Sequence, residues 1–377
     1  MPKGKALRLL LAAGGTGGHL FPGIAVAEAA QRDLGAEVLF VGAANGLERD
    51  VVPRLGFPLR LIPAQQLRGR NWVGALQAWW AAFRAVGVAW RVVRTFAPDV
   101  IFSIGGYAAG PTVLAGWGQR VPCVLLEPNA IPGLTNRWLG RVATKICVGF
   151  PQTANFFPSH KAVYTGSPVR WPAISPSPAP AADAAATTST LFVFGGSAGA
   201  RRLNQTVPQA LALLAAADRP ARVIHQTGRA EHADVAALYE RLGVQAEVVA
   251  FIENMREVYA QADLVICRAG AMTIAELTVL GKPSILVPYP YAADDHQRAN
   301  AEVLVQGGAA RMILDAEFTP EHVSATIHTL LLRREGLDAM AHASATLGKP
   351  HATRAVVREC LACVPALRKR EMEMAEL

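Results

Sequence analysis

Three glycine-rich turns carry the residues whose types and spacing are best suited to chemistry. The motifs are LLLAAGGTGGH (9–19), IFSIGGYAAGP (101–111) and LFVFGGSAGA (191–200), and in each the glycines follow an apolar, strand-like run. Glycine lets the backbone approach a ligand closely, and the N–H groups that open a helix attract anions. One such turn is explained by close packing of a helix on a strand, but three at strand ends favour phosphate binding.

The absence of several known motifs from the sequence argues against some kinds of phosphate ligand. A dinucleotide site needs a third glycine where Leu20 stands, and an acidic residue after the second strand, which ends at Val41-Gly42. The sequence contains neither GxxxxGK[ST] nor Asp-x-Asp. A departing diphosphate must then be neutralised by helix N-termini and positive side chains. We therefore predict no metal site and no cofactor.

The segment 263–304 is the richest in candidate binding groups. A strand is predicted to end at Cys267, with a turn at Arg268 and a helix from about Met272. Glu276 lies one turn inside that helix, where it either accepts hydrogen bonds from a ribose diol or only complements the helix dipole. Gln297 and Asn300 follow the next strand, in a polar loop that suits a sugar.

His19 is the candidate general base for a group transfer. A neutral imidazole is available near pH 7, and His19 stands in the first glycine loop. The alternative is that it hydrogen-bonds a phosphate of the acceptor, and the sequence leaves both open. Arg170 and Arg268 are candidate sources of positive charge for phosphates, although arginines in such positions are often only solvated.

The elements that position these residues alternate between strand and helix patterns. Buried parallel strands are predicted in ten apolar runs: 7–12, 38–41, 100–104, 121–126, 146–148, 191–194, 222–225, 247–251, 263–267 and 284–287. A proline- and alanine-rich linker follows Trp171. The fold class is therefore α/β, with two doubly wound Rossmann-like domains facing a cleft. We expect domains at 1–170 and 171–349, with a C-terminal helix, 350–377, joining the first.

Composition and charge exclude several classes of protein. Hydrophobic residues form 51% and charged residues 18% of the 377 residues, which excludes wholesale disorder. No run is long and apolar enough to span a bilayer, and the N-terminal run resembles a first strand rather than a signal peptide. The five cysteines are predicted to be structural. Residues 1–170 carry a net charge of +11 and the remainder −3, so one domain is expected to face a polyanion or an anionic membrane.

The segment 72–96 bears on that membrane expectation. Seven apolar residues from Trp72 to Val93, Phe83 and Trp90 among them, form one helical stripe, which is most simply core packing. Trp80 lies on the neighbouring stripe with Arg84 and Arg91. Aromatic and basic side chains together suit the headgroup region of a bilayer.

Several long motifs in a fixed order resemble the MurG family of glycosyltransferases over essentially the whole chain. They are GGTGGHLFPGIAVAE (14–28), LRG (67–69), GGYAAGP (105–111), NAIPGLTNRWL (129–139), GSPVR (166–170), GGSAGARRLN (195–204), CRAGAMTIAE (267–276) and the Gln297/Asn300 pair. The resemblance implies the GT-B fold and metal-independent, inverting transfer of N-acetylglucosamine from UDP-N-acetylglucosamine. The acceptor is lipid I, an undecaprenyl-diphosphate-linked muramyl peptide, and the product is lipid II for peptidoglycan. It also implies a peripheral place on the cytoplasmic face of the membrane, with consequences for cell shape and division.

Site residues follow from the resemblance position by position. The resemblance places His19, the candidate catalytic residue, at the acceptor, and the implied acceptor contacts are Thr16, Gly17, Gly18 and Tyr107. The implied donor contacts are Thr16, Gly17, Gly18, Asn129, Arg170, Ser197, Ile252, Arg268, Ala271, Met272, Thr273, Glu276 and Gln297. Ser197 is assigned to the UDP phosphates, Ile252 to uracil and Glu276 to ribose. The chain departs from the family pattern at Pro128, Ala198 and His296.

Two other classes remain open at this point. One is another enzyme of the same fold, such as a UDP-N-acetylglucosamine 2-epimerase or a natural-product glycosyltransferase. The other is a nonenzymatic module that binds a nucleotide sugar. Both would use the same turns, so acceptor-dependent turnover distinguishes them. No nucleic-acid partner is expected.

Overall fold

The computed structural model describes residues 6–14, 17–44, 46–64, 72–106, 108–170, 189–215, 218, 220 and 222–367, with only the backbone at Ala13 and at 72–82. The chain divides into two compact units. The first unit comprises Met1–Pro172 and Pro350–Leu377, and the second unit comprises Ala173–Lys349. Each has its own parallel sheet and its own core, as the expected α/β class requires.

The first unit is built on a seven-stranded parallel sheet in the order β3-β2-β1-β4-β5-β6-β7. Its strands are β1 (Arg8–Ala13), β2 (Glu37–Ala43), β3 (Leu59–Ile62), β4 (Val100–Gly105), β5 (Cys123–Glu127), β6 (Lys145–Val148) and β7 (Ala162–Tyr164). Every residue of β4 and β5 is buried, which explains their largely apolar sequences.

Helices cover both faces of this sheet. They are α1 (Gly17–Leu34), α2 (Glu48–Arg54), α3 (Trp72–Phe96), α4 (Ala109–Gly118) and α5 (Leu134–Leu139), with a 3₁₀ turn at Pro151–Phe156. The late helix α13 (Ala352–Ala362) also packs here, since Val356 and Leu361 share a core with Leu20 and Ile24 of α1. Helix α13, which follows the second unit in the chain, therefore completes the core of the first unit.

The second unit repeats the architecture with a six-stranded parallel sheet in the order β10-β9-β8-β11-β12-β13. Its strands are β8 (Thr190–Phe194), β9 (Arg222–Gln226), β10 (Glu247–Val249), β11 (Leu264–Cys267), β12 (Ser284–Leu286) and β13 (Ala310–Met312). Its helices are α6 (Arg201–Leu213), α7 (His232–Arg241), α8 (Met255–Gln261), α9 (Ala271–Val279), α10 (His296–Gln306), α11 (Pro320–Leu332) and α12 (Arg334–Leu347).

The structure corrects part of the expectation for α3. Its buried positions in the described half are Ala85, Ala89 and Val93, spaced four residues apart. Phe83 and Trp90, which the apolar stripe predicted to be core, are exposed, Phe83 by 73%. Small residues are fully buried where α3 packs on α4, whereas the large ring of Trp90 lies at the edge of that contact, against Gly118 at the end of α4. The side chain of Trp80 lies outside the described residues.

Strand order reverses once in each sheet, between β1 and β4 and between β8 and β11. In open α/β sheets, the helices on either side of such a reversal leave in opposite directions and open a crevice at the strand carboxyl ends. The motifs GGTGGH and GGYAAGP follow β1 and β4, and the motifs GGSAGA and CRAGAMTIAE belong to β8 and β11. Among the helices that the structure describes, none combines the length and apolarity that a bilayer crossing requires.

Candidate active site

The two glycine turns of the first unit touch each other through their backbones. Gly106 follows β4 with a φ of +83°, and a Cβ added there would lie 1.9 Å from the carbonyl oxygen of Gly14. Both the positive φ and this contact restrict the position to glycine. The turns after β1 and β4 are therefore locked together at the reversal of strand order.

His19 lies at this junction, three residues into α1. The position of a Cβ on Gly105 is 3.5 Å from His19 Cδ2, 3.6 Å from His19 Nε2 and 3.7 Å from Asn136 Nδ2. The half-buried imidazole therefore packs on the end of β4 beside a buried amide. Gly17 and Gly18 open α1, where the first N–H groups of a helix lack intrahelical acceptors.

A buried carboxylate organises the loop that carries Asn129. Glu127, the last residue of β5, accepts hydrogen bonds from Asn129 N at 3.0 Å, Asn129 Nδ2 at 3.2 Å, Gly133 N at 3.1 Å and Asn136 Nδ2 at 2.9 Å. Burial raises the pKa of this carboxyl, and the four N–H donors act against that shift. Glu127 thus fixes the side chain of Asn129, the predicted sugar contact.

In the second unit, the turn after β8 exposes backbone and hydroxyl donors. Gly196 and Gly199 have φ values of +99° and +81°, and Ser197 between them is exposed. A Cβ on Gly199 would lie 1.9 Å from Thr227 O, so this turn packs directly on the loop after β9. Gln226, at the end of β9, donates to Gly196 O at 3.1 Å and accepts from Ile252 N at 2.8 Å. The predicted phosphate and uracil segments are therefore joined by one side chain.

Helix α9 begins directly after the turn that follows β11. Gly270 precedes it in an extended conformation, so the N–H groups of Ala271, Met272 and Thr273 open the helix. Glu276 lies one turn further, and its Oε2 accepts a hydrogen bond from Tyr259 Oη at 3.1 Å. Burial raises the pKa of Glu276 to about 7, and the tyrosine hydroxyl opposes that shift.

Arg268 and Gln297, which are also predicted to contact the sugar donor, make hydrogen bonds to other residues of the second unit. Arg268 donates through Nη1 to Asp315 Oδ1 at 2.6 Å and to the carbonyl oxygens of Val287 and Pro288 at 3.2 and 3.1 Å. Gln297 Oε1 accepts from Tyr289 N at 3.0 Å. Arg268 and Gln297 both anchor the loop after β12, and their contacts to a donor remain predictions.

Arg170, Thr16 and Tyr107 are the remaining predicted site residues of the first unit. Arg170 lies 3.6 Å from Glu28 Oε1 on α1, and both side chains are more than a third exposed. Thr16 and Tyr107, predicted at the acceptor, lie outside the described residues.

A buried polar network stands behind the turn after β8. His225 is fully buried, its Nδ1 lies 2.9 Å from Tyr239 Oη, and its Nε2 lies 3.2 Å from Asn204 Oδ1. Asn204 Nδ2 donates to Thr227 O at 2.9 Å. Burial lowers the pKa of His225 to about 3, so the imidazole is neutral and structural.

Sequence reasoning missed Glu127, Gln226 and Tyr259. Glu127 and Gln226 are the last residues of their strands, and a polar residue ending an apolar run was the available signal. Tyr259 gave no such signal, because its partner lies 17 residues away on another helix. Within the described ranges, no three His, Cys, Asp or Glu side chains are grouped to hold a metal ion.

Comparisons with known proteins agree with this arrangement. Residues 9–148 match the glycosyltransferase family 28 N-terminal domain, and residues 190–356 match the family 28 C-terminal domain. A protein of Anaeromyxobacter dehalogenans is 44% identical over 95% of this chain and 93% of its own length. It is named UDP-N-acetylglucosamine--N-acetylmuramyl-(pentapeptide) pyrophosphoryl-undecaprenol N-acetylglucosamine transferase.

Solved structures show the same fold. The crystal structure of Acinetobacter baumannii MurG is 33% identical and superposes with a TM-score of 0.78, covering 94% of this chain and 99% of its own. A UDP-N-acetylglucosamine 2-epimerase structure has a TM-score of 0.68 over 95% of this chain and 96% of its own, at 13% identity. At that identity the likeness concerns the fold alone.

Proposed function

The chain belongs to glycosyltransferase family 28, and from that premise we propose that it transfers N-acetylglucosamine from UDP-N-acetylglucosamine to lipid I. The acceptor is the C4 hydroxyl of the muramyl sugar, and the product is lipid II for peptidoglycan synthesis. The observation that carries this proposal is the pair of strand-order reversals, each bearing glycine turns and a functional side chain, His19 in one unit and Glu276 in the other.

We assign donor binding to the second unit. The exposed hydroxyl of Ser197 and the opening N–H groups of α9 suit the diphosphate, because both are donors and the helix dipole favours negative charge. Ile252 meets the uracil and Glu276 the ribose diol. Arg268 contributes positive charge, and Gln297 contacts the sugar.

The remaining contacts come from the first unit. Asn129, held by Glu127, contacts the sugar of the donor, and Arg170 lends positive charge. Thr16, Gly17 and Gly18 contact both the acceptor and the donor, and Tyr107 binds the acceptor. The acceptor contacts are thus assigned to residues 1–170 with 350–377, and most of the donor contacts to 171–349.

The chemical step joins one O–H group to one sugar carbon. The C4 oxygen of the acceptor attacks C1 of N-acetylglucosamine, its proton passes to His19, and the bond from C1 to the UDP oxygen breaks with inversion. Helix N-termini and arginines stabilise the leaving diphosphate. If His19 instead binds the acceptor diphosphate, the proton leaves to another base and His19 lowers only the acceptor's KM.

The decisive experiment measures UDP release and lipid II formation with lipid I, with other acceptors and with water. Transfer to lipid I alone supports the proposal. Equal UDP release without acceptor, or conversion of the free nucleotide sugar to its 2-epimer, contradicts it. His19→Ala should lower kcat by about 100- to 10,000-fold if His19 is the base. His160→Ala, which removes an exposed histidine of the same unit, is the control.

We further propose that the first unit binds the cytoplasmic face of the membrane. Its exposed aromatic side chains include Phe83, Trp117 at 58% and Trp138 at 67% exposure. The guanidinium of Arg141 lies 4.2 Å from the centre of the Trp138 ring. Exposed aromatics with cations suit the headgroup region, and each arginine near an anionic surface adds about 1 kcal/mol.

Vesicle binding tests this proposal independently of catalysis. Phe83→Ser with Arg84→Ser should weaken binding to vesicles containing phosphatidylglycerol, and added salt should weaken the wild type in the same direction. The matched control is Leu332→Ser with Arg333→Ser, an exposed apolar–basic pair of the second unit. Equal losses in both variants would contradict a membrane surface on the first unit.

A further inference from the structure

One buried hydroxyl of the second unit is directed at the proposed ribose carboxylate. Tyr259, on α8, has no exposed surface, and its Oη lies 3.1 Å from Glu276 Oε2. Among the described residues, this is the hydrogen bond that reaches the Glu276 side chain. A tyrosine hydroxyl donates only one proton, so a carboxylate with two oxygens keeps acceptor capacity for a ligand.

The ring of Tyr259 is held by the strand that leads to the phosphate turn. It packs edge-on against Phe192 at 5.6 Å and Phe194 at 5.9 Å between ring centres. Both phenylalanines belong to β8, which ends at the turn carrying Ser197. This packing therefore fixes the position of the Tyr259 hydroxyl. Its hydrogen bond to Oε2 in turn orients the Glu276 carboxylate and so the direction of its second oxygen.

The charge state of Glu276 is balanced between burial and this one donor. Burial raises its pKa to about 7, while the Tyr259 hydroxyl favours the ionised form. The other titratable group acting at this point is the buried thiol of Cys267, at the end of β11. On the two helices beside α9, Arg298 pairs with Glu302, and Arg334 pairs with Asp338 and with Asp263. Lys282, after α9, donates to the carbonyl oxygens of Ala260 and Ala262.

We propose that Tyr259 is a positioning residue of the donor site, which orients Glu276 and stabilises its ionised form, the form that binds the donor. This inference rests on the proposed ribose role of Glu276. Hydroxyl groups of a ribose diol donate to a carboxylate, and such bonds are strongest to the charged form. A protonated Glu276 must release its proton to the solvent when the diol binds.

Calorimetric titration with UDP-N-acetylglucosamine is the test, because its diphosphate carries no group that titrates near neutrality, whereas free UDP does. Titrations between pH 5.5 and 9, in buffers of different ionisation enthalpy, report the affinity and the protons released. For the wild type we expect affinity to fall about tenfold per pH unit below about pH 7 and to level off above it, with proton release on binding.

Tyr259→Phe removes only the hydroxyl and keeps the ring packing. We expect the acid limb of the affinity profile to move up by about one to two pH units, because a hydrogen bond to a charged group is lost. The two profiles should converge toward pH 9. A merely structural role would lower the affinity equally at every pH or change only the thermal stability, and either result would overturn the proposal.

Two controls isolate the pair. Tyr239→Phe removes the other buried tyrosine hydroxyl with a described partner in the unit, on His225, and should leave the acid limb in place. His296→Gln removes the imidazole beside Gln297 and should also leave it in place. If Tyr259→Phe does not fold, the wild type still decides, since binding without proton release at pH 6.5 contradicts the proposal.

Glu276→Gln separates this inference from the function on which it rests. If the variant binds the donor normally with an unchanged acid limb, the ribose role itself is wrong. If the variant loses the limb but Tyr259→Phe retains the wild-type limb, the ribose role stands and only the role of Tyr259 fails. Transfer to lipid I is measured separately and does not enter this comparison.

Discussion

Two carboxylates, one in each unit, differ in what surrounds them, and Glu127 is buried whereas Glu276 is half-buried. Glu127 ends β5, and Glu276 lies one turn into the helix that follows β11. Burial raises the pKa of both. Glu127 accepts three hydrogen bonds from the loop that follows it and one from Asn136 of α5, whereas the described partner of Glu276 is the single hydroxyl of Tyr259.

The number of hydrogen-bond donors around each carboxylate indicates whether it stabilises a loop or binds a ligand. A carboxylate saturated by neighbouring donors has no acceptor capacity to offer a ligand, so Glu127 stabilises the loop that presents Asn129. A carboxylate that burial desolvates and one donor holds is costly in the folded protein and is suited to take further donors from a ligand. Burial alone therefore does not distinguish the two roles.

The largest effect is expected from Glu127→Ala. Removing the carboxylate deletes one acceptor each for Asn129 N, Asn129 Nδ2 and Gly133 N, and one of the two acceptors of the buried amide of Asn136, which keeps its bond to Leu126 O. The free energy of unfolding should fall by about 2–4 kcal/mol, measured by urea denaturation, and turnover should fall with it. Glu37→Ala, which removes an exposed carboxylate paired with Arg8, is the control and should cost less than about 1 kcal/mol. Similar losses in both variants would break the comparison.

The next largest effect, of opposite sign, is expected from Glu276→Gln. Because the folded-state pKa of about 7 lies above the ordinary 4.5, the contribution of Glu276 to stability is complete below about pH 4.5 and is lost as the pH rises through 7. At pH 8 the glutamine variant should therefore be more stable than the wild type by about 1–3 kcal/mol, and at pH 4.5 nearly equal. Donor affinity at pH 8 should fall.

Thermal or urea unfolding at the two pH values, with calorimetry on the donor, checks that prediction. A gain in stability with a loss of binding identifies Glu276 as a residue retained for a ligand. A variant that is less stable at pH 8 would place Glu276 in the same class as Glu127.

Much of the fold followed from the sequence, and the parts that did not are at the sheet edges. The α/β class is confirmed, and each of the ten predicted apolar runs overlaps a strand. The missed strands, β3, β7 and β13, are edge strands of three or four residues with exposed or half-buried positions. An edge strand buries too little to require a continuous apolar run, so its sequence resembles a loop.

The features of the site that could be predicted from the sequence also differ physically from those that could not. Glycine turns and helix starts were visible because backbone conformation restricts residue type locally, as at Gly106 and Gly199. The partners of Glu127 and Glu276 were not visible, because any polar side chain can donate and the folded chain selects which one does. The prediction that Phe83 is buried was wrong for a related reason, since helical periodicity identifies a face of the helix but not what packs against it.

The smallest effect is expected from a third carboxylate, the exposed Glu28 on α1. Its partner Arg170 lies 3.6 Å away, and both side chains are more than a third exposed, so water and salt screen the pair. Glu28→Gln should change the free energy of unfolding by less than about 1 kcal/mol, and less still in high salt.

The same pair tests the proposed donor role of Arg170. If Arg170 lends charge to the diphosphate, Arg170→Gln should weaken UDP-N-acetylglucosamine binding, whereas Glu28→Gln should leave it unchanged or strengthen it by releasing the guanidinium. Equal binding by both variants and the wild type would reduce Arg170 to a surface ion pair, and a large loss of stability in Glu28→Gln would show that exposure does not rank these carboxylates.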